Sequence, residues 1–201
     1  MRGGKWIVVA FALTVAGGAQ AAGDAAAGQQ KSAPCQACHS TDGNSAVGMY
    51  PNIAGQHASY TVTQLKALRD GTRKDPVMSP MAANLSDQDI EDLAAFYAGQ
   101  KVKLGSVPDD KVAAGAQLYR AGNSNTAVPA CMACHGPDGK GNAPAGWPAL
   151  GGQHPEYIAK QLNLYASGER STDLNNIMRD IAARLSKAEI DAVSQYVSGL
   201  H

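Results

Sequence analysis

The sequence lacks an excess of charge of either sign. It contains 17 basic and 17 acidic residues among 201, with no run of basic residues. The charge therefore gives no reason to expect nucleic acid or another polyanion as a partner. Hydrophobic residues make up 44% and charged residues only 17%, which is typical of a globular chain rather than a disordered one.

Long hydrophobic runs are also missing, apart from a short one at the start. Arg2 and Lys5 precede an apolar run over residues 6–16, and an A-x-A cleavage site ends at Ala21. This pattern predicts a secretory signal peptide over residues 1–21. An uncleaved membrane anchor is the alternative, but the run is too short to span a bilayer comfortably. We therefore expect the mature protein in the periplasm.

Cysteine is limited to four residues, and all four fall in two C-x-x-C-H motifs. The motifs are Cys35-Gln36-Ala37-Cys38-His39 and Cys131-Met132-Ala133-Cys134-His135. C-x-x-C-H is the attachment signature of c-type haem: the two thiols form thioethers with the haem vinyl groups, and the histidine binds the iron. We predict two covalently bound haem c groups, with the thioethers at Cys35, Cys38, Cys131 and Cys134 and axial ligands at His39 and His135.

Three other uses of the cysteines are weaker. A zinc site would need four ligands together, but 93 residues separate Cys38 from Cys131 and each pair lies in its own repeat. A thioredoxin-like motif is expected among strands, and no segment shows convincing strand alternation. Structural disulfides would not need a histidine after each pair.

The two halves of the sequence repeat each other. Beyond the cysteine motifs, the matched segments are Asp42-Gly43 and Asp138-Gly139, Tyr50-Pro51 and Trp147-Pro148, Gly55-Gln56-His57 and Gly152-Gln153-His154, Gln64-Leu65 and Gln161-Leu162, and Leu85-Ser86 and Leu185-Ser186. The repeat predicts an N-terminal domain over residues 22–104 and a C-terminal domain over residues 105–201. Aromatics are only 5% of the chain, so each small domain would depend on a haem to complete its core.

Helical signals dominate both halves, and we predict an all-α fold. Ser86-x-x-Asp89 and Ser186-x-x-Glu189 are capping patterns that precede apolar residues at helical spacing. We expect a first helix after Asp24 or Asp110 in each half. Middle helices should begin near His57 and at Pro155, a residue suited to the first helical position, and end near Gly71 and Gly168.

The sixth ligand of each iron must come from elsewhere in its half. Met178 and Met78 each stand seven residues before the matched leucine of the last helix, so we predict that they are the axial partners of His135 and His39. Met81 is the main alternative in the first half, and Met49 a weaker one. His57 and His154 also repeat and leave bis-histidine ligation open, although capping or surface roles are more common there.

Two prolines are candidates to orient the iron-binding histidines. Pro51 follows His39 by twelve residues, and Pro148 follows His135 by thirteen. A metal-bound histidine usually donates its second ring N–H to a carbonyl or carboxylate. We predict that these proline carbonyls are the acceptors, the alternative being that each proline only shapes a loop.

Taken together, these motifs make the chain resemble cytochrome c4, the dihaem family built of two class I cytochrome c domains. The resemblance rests on Ala22-Gly23-Asp24, Cys35–Asn44, the two G-Q-H segments, Leu85–Asp89 and Gly199-Leu200-His201. It implies His39/Met78 and His135/Met178 ligation, and two domains packed about a pseudo-twofold axis with neighbouring haems. The segment before Met78 is three residues shorter than its counterpart, a departure that keeps Met81 as the alternative ligand in the first half.

The family resemblance implies an electron carrier rather than an enzyme. It suggests transfer from a quinol-oxidising complex or another donor to a terminal oxidase, with possible peripheral association with the cytoplasmic membrane. The main alternative is an electron-transfer subunit of a dehydrogenase such as flavocytochrome sulfide dehydrogenase, whose flavin would lie in another chain. A dihaem peroxidase would need a releasable iron ligand, and two matched methionines argue against it. No nucleophilic triad or phosphate loop is apparent.

Overall fold

The structure is a computed structural model, and it describes residues 23–201; the predicted signal peptide lies outside the described residues. Within this range the helices are α1 (Ala25–Lys31), α2 (Ala33–His39), α3 (Ala58–Arg69), α4 (Met78–Ala82), α5 (Asp87–Ala98), α6 (Asp109–Ala121), α7 (Met132–His135), α8 (Pro155–Ala166), α9 (Ile177–Ala182) and α10 (Lys187–Ser198). The only β-structure in that range is two isolated bridges, so the all-α prediction is confirmed. None of these helices is both long and apolar enough to cross a membrane.

Capping side chains set where several helices begin. The Asp24 carboxylate accepts hydrogen bonds from the first-turn amides of α1, and Ser86 and Ser186 form full capping boxes at α5 and α10. In the second half we expected the first helix after Asp110, but α6 begins at Asp109. The residue before α6 is Pro108. Asp110 lies in the first turn, where its negative charge interacts favourably with the positive end of the helix dipole.

The first and last helices of each half cross at a glycine. A Cβ on Gly28 in α1 would lie 2.8 Å from Phe96 Cβ in α5, and one on Gly115 in α6 would lie 2.6 Å from the carbonyl oxygen of Ala192 in α10. Only glycine lets the two backbones approach this closely. The crossing brings the chain ends of each half together and leaves the middle segments to form the walls of the site.

The two cores differ in size. The first-half core consists of Leu93, Phe96 and Tyr97, with Cys35, Ile53 and Leu85 packed against it. The second-half core is larger and contains Leu118, Tyr119, Val128, Leu162, Ala182, Ile190, Val193, Tyr196, Val197 and Leu200. In both clusters a cysteine of the C-x-x-C-H motif is among the partly buried neighbours, so each core is continuous with a predicted haem site.

The connecting segment between α5 and α6 makes contacts with both halves. The Lys103 amide donates to the Asn44 side chain at 2.7 Å, and the Gly105 amide donates to the Ser198 carbonyl at 2.8 Å. Residue 103 of the connecting segment therefore contacts the first half, and residue 105 contacts the second. The domain boundary after Leu104 stays a proposal that these contacts support.

Candidate functional site

Each C-x-x-C-H histidine is the last residue of a short helix and points inward. His39 ends α2 and His135 ends α7, and their side chains are buried. His39 Nδ1 donates to the Pro51 carbonyl at 2.9 Å, and His135 Nδ1 donates to the Pro148 carbonyl at the same distance. The predicted hydrogen bonds are confirmed. Because Nδ1 carries the proton, Nε2 of each ring keeps the lone pair that binds a metal.

Burial keeps these two imidazoles neutral. It lowers the pKa of both His39 and His135 below the usual value, against a smaller opposing effect of the proline carbonyls. A neutral imidazole is the form that binds iron, so neither ring has to lose a proton near neutral pH before ligation.

The four cysteines are free thiols in half-buried positions beside the histidines. Burial raises the pKa of the Cys131 thiol to about 11 and also raises that of Cys35. Within residues 23–201 no group of three or more His, Cys, Asp or Glu side chains is placed to hold a metal ion, so the zinc alternative has no support there. Thiols in an apolar setting, next to a histidine with a free Nε2, fit covalent attachment of haem.

The candidate methionine ligands occupy equivalent places in α4 and α9. Met78 and Met178 are both half-buried, and each is followed four residues later by a fully buried alanine, Ala82 or Ala182. Met178 also packs against the second-half core together with Cys131. In contrast, Met81 is 45% exposed and Met49 is 60% exposed, which leaves both as poorer candidates.

The second half has three more residues before its methionine than the first half, and the two halves differ there by one turn. In the second half a 3-10 turn over Leu174–Asn176 precedes α9, and Asn175 and Asn176 both have positive φ. In the first half Asp75 instead accepts hydrogen bonds from the Val77 and Met78 amides, and α4 begins directly. The residues of this turn are exposed, and the helix after it again has its methionine four residues before a buried alanine.

The glutamines of the two G-Q-H segments join the halves. Gln56 donates to the Ala149 carbonyl and accepts from the Ala149 amide, both at 3.0 Å. Gln153 does the same to Asn52, with both distances 2.8 Å. Asn52 and Ala149 directly follow the two prolines that hold the iron-binding histidines. This reciprocal contact was not predicted, although the repetition of both glutamines in the sequence was the available signal.

The neighbouring histidines have different surroundings. His57 and His154 are the residues directly before α3 and α8, in the capping position, but neither side chain makes a capping hydrogen bond. His154 Nε2 donates to the Ser45 carbonyl of the other half at 2.9 Å, which commits that nitrogen to the interface. His57 Nε2 is buried and has no hydrogen-bond partner among the described residues.

Two helical halves, each with a buried histidine directly after a pair of cysteines, define a two-domain c-type cytochrome. The family model "Cytochrome c" matches residues 25–99 and 112–201. Cytochrome c4 of Azotobacter vinelandii is 46% identical over 97% of this chain and 98% of its own length. The crystal structure of reduced recombinant cytochrome c4 from Pseudomonas stutzeri aligns with a TM-score of 0.87 at 44% identity, covering 90% of this chain and 100% of that one.

The chain therefore belongs to the cytochrome c4 family of dihaem electron carriers, and it carries two covalently bound haem c groups. A more distant relative is a thiosulfate dehydrogenase electron acceptor of Stutzerimonas stutzeri. It is 37% identical over 83% of this chain and 78% of its own length.

Proposed function

We propose that this cytochrome is a periplasmic carrier that takes electrons from a quinol-oxidising complex or another donor and passes them to a terminal oxidase. The observation that supports this most directly is the repetition of one ligand arrangement. Each half has a histidine held at 2.9 Å by a proline carbonyl, and a half-buried methionine four residues before a fully buried alanine. Two protein ligands per iron leave no open position for substrate, as a carrier requires.

We assign haem attachment to the four cysteines and axial ligation to the pairs His39/Met78 and His135/Met178. The bound haem supplies a one-electron Fe(III)/Fe(II) couple. The proline carbonyls orient the imidazoles and increase their basicity. The methionine thioethers favour the reduced iron and so raise the potential into a range useful for delivery to an oxidase.

The test is direct electron delivery. Reduced, purified protein is mixed with cytochrome-depleted membranes that contain a terminal oxidase, and its reoxidation is followed optically together with oxygen uptake. We expect saturable reoxidation that an oxidase inhibitor abolishes. Reoxidation no faster than the autoxidation of the protein alone would contradict the oxidase as acceptor.

A second candidate donor is a sulfur-compound dehydrogenase, because the thiosulfate dehydrogenase electron acceptor is similar to this chain over most of its length. In that case the chain would accept electrons from the dehydrogenase, in line with the dehydrogenase-subunit alternative raised by the sequence. Oxidised protein mixed with a thiosulfate dehydrogenase and thiosulfate would be reduced at a rate proportional to the enzyme concentration. Reduction only by a quinol-oxidising complex would remove this candidate.

A further inference from the structure

A network of polar side chains lies between the halves, centred on Arg170. Its guanidinium donates to Gln161 of its own half at 2.7 Å. It also donates to two residues of the first half, Tyr60 at 2.8 Å and Gln64 at 2.9 Å. One arginine therefore bonds both halves at once.

Arg73, the repeat equivalent of Arg170, makes the mirrored set of contacts. It donates to Gln64 of its own half at 2.9 Å, and across the interface to Tyr157 at 3.1 Å and Gln161 at 3.2 Å. The two arginines thus share both glutamine acceptors. Two cations are held close to each other, which costs free energy unless negative charge is near.

The partners of Arg170 provide no negative charge. Its side chain is 4% exposed, its acceptors are amide and phenol oxygens, and its Nε is buried without a partner. Neither Arg170 nor Arg73 forms an ion pair with any carboxylate in residues 23–201. The guanidinium contacts the Tyr165 ring at 4.6 Å, but a ring face is no substitute for an anion. Arginine stays charged in proteins, and buried charges are normally paired.

A cavity of about 280 Å³ is lined by both arginines. The other charged groups on its wall are Lys74, Asp75 and Glu169. The two carboxylates have other partners: Asp75 accepts from the start of α4 and pairs with Lys160, and Glu169 accepts from Ser167. Ser167 is neutral and leaves the charge of Glu169 in place, whereas Asp75 is already paired with Lys160. The three cations of the wall therefore exceed its carboxylates, and the cavity has an excess of positive charge.

Besides these two carboxylates, the haems are a source of fixed anions for this interface. Each haem c carries two carboxylate groups, and both predicted iron sites adjoin this interface. Arg73 precedes Met78 by five residues and Arg170 precedes Met178 by eight. On the histidine side, Pro51 accepts from His39, and the next residue bonds across the interface to Gln153.

We propose that Arg73 and Arg170 bind haem carboxylates at the interface between the halves and thereby act as positioning residues that raise both reduction potentials. The proposal rests on the haem ligation assigned above. Ferric haem carries one more positive charge than ferrous haem, so nearby cations disfavour the ferric state. The same cations keep the carboxylates ionised, which makes the potentials nearly independent of pH around neutrality.

The test compares Arg170→Gln and Arg73→Gln with the parent and with Arg184→Gln. Arg184 is exposed and donates to the Ala127 carbonyl, so its replacement controls for the loss of one positive charge. Both potentials are measured by spectroelectrochemical titration between about pH 5 and pH 8, a range around the ordinary carboxyl and histidine pKa values. We expect lower potentials at the alkaline end in the two interface variants, and a steeper rise as the pH falls because the carboxylates now take up protons. Arg184→Gln should match the parent.

Further measurements distinguish a failure of this proposal from a failure of the haem ligation on which it rests. The intact mass and the far-red ferric band of the parent test haem attachment and methionine ligation before any arginine is changed. Arg170→Lys keeps the charge and should keep the parental pH dependence, and Arg73→Gln serves if Arg170→Gln does not fold. Parental potentials and pH slopes in Arg73→Gln and in a folded Arg170→Gln would overturn the proposal. Phosphate-dependent potentials in the parent that the variants lose would also overturn it, because the cavity would then bind a free oxyanion.

Discussion

At the scale of single residues, replacing the proposed methionine ligands tests the assigned iron ligation most directly. In Met178→Ala the ferric protein should lose about half of its weak far-red sulfur-to-iron charge-transfer band, keep both haems, and show a lower potential for one haem. The reason is that the thioether favours ferrous iron, and its loss removes that preference. Absorption spectroscopy and a redox titration measure both effects. Met78→Ala should act likewise on the other haem.

Met81→Ala is the matched control for the first half. Its side chain is 45% exposed, so its truncation should change the free energy of unfolding by only about 0.5 kcal/mol and leave the band intact. A half-lost band in Met81→Ala with a silent Met78→Ala would transfer the ligand role to Met81. A full-intensity band in Met178→Ala would point to a nitrogen ligand in the second half.

Residues whose role is local to one repeat were predictable, and residues that act between repeats were not. The bonds from His39 and His135 to proline carbonyls follow from a general property of metal-bound histidines and from spacing within one repeat. The contacts of Gln56 and Gln153 depend on how two folded halves approach each other. A repeated glutamine has the same sequence pattern whether it caps a helix, faces solvent or crosses an interface.

At the scale of helices, the crossing of α6 and α10 at Gly115 should not tolerate a larger residue. Gly115→Ala should destabilise the second half by about 1–3 kcal/mol, because the new methyl group would overlap the α10 backbone at Ala192. Alanine is favoured over glycine in a helix by about 1 kcal/mol, so a loss of stability would show that the clash dominates. Thermal unfolding followed by circular dichroism measures the change. Gln117→Ala, an exposed site on the same helix, should be close to neutral, and a neutral Gly115→Ala would argue against close packing here.

Helix starts were predicted well where the sequence has a capping box, and also at Pro155, which is the first residue of α8 as expected. Ser86 and Ser186 begin their helices as expected because a capping box is a local signal. The start of α6 was predicted too late, after Asp110, because a proline can precede a helix without a capping side chain. The exposed turn at Leu174–Asn176 could be anticipated only as a length difference, because its conformation depends on the packing of α9.

At the scale of the whole molecule, charge should have little influence on partner binding. After loss of Arg2 and Lys5 with the predicted signal peptide, the 17 acidic residues exceed the remaining basic ones by two. No strong field of one sign surrounds such a chain, so recognition should depend mainly on apolar contact near a haem edge. Stopped-flow rates with the true partner should change only modestly between low and physiological ionic strength. A decrease of several orders of magnitude would show strong electrostatic steering instead.

The reciprocal contacts of Gln56 and Gln153 have the form of a homodimer with a twofold axis. Either half, as a separate chain, would offer a copy of itself the same glutamine and the same loop. Fusion of two such copies replaces a concentration-dependent association with an intramolecular one. In a fused chain the two copies no longer share one sequence, so they can differ. The larger core and the longer turn of the second half are such differences. The fused molecule keeps the geometry of a symmetric pair while its two redox centres can diverge independently.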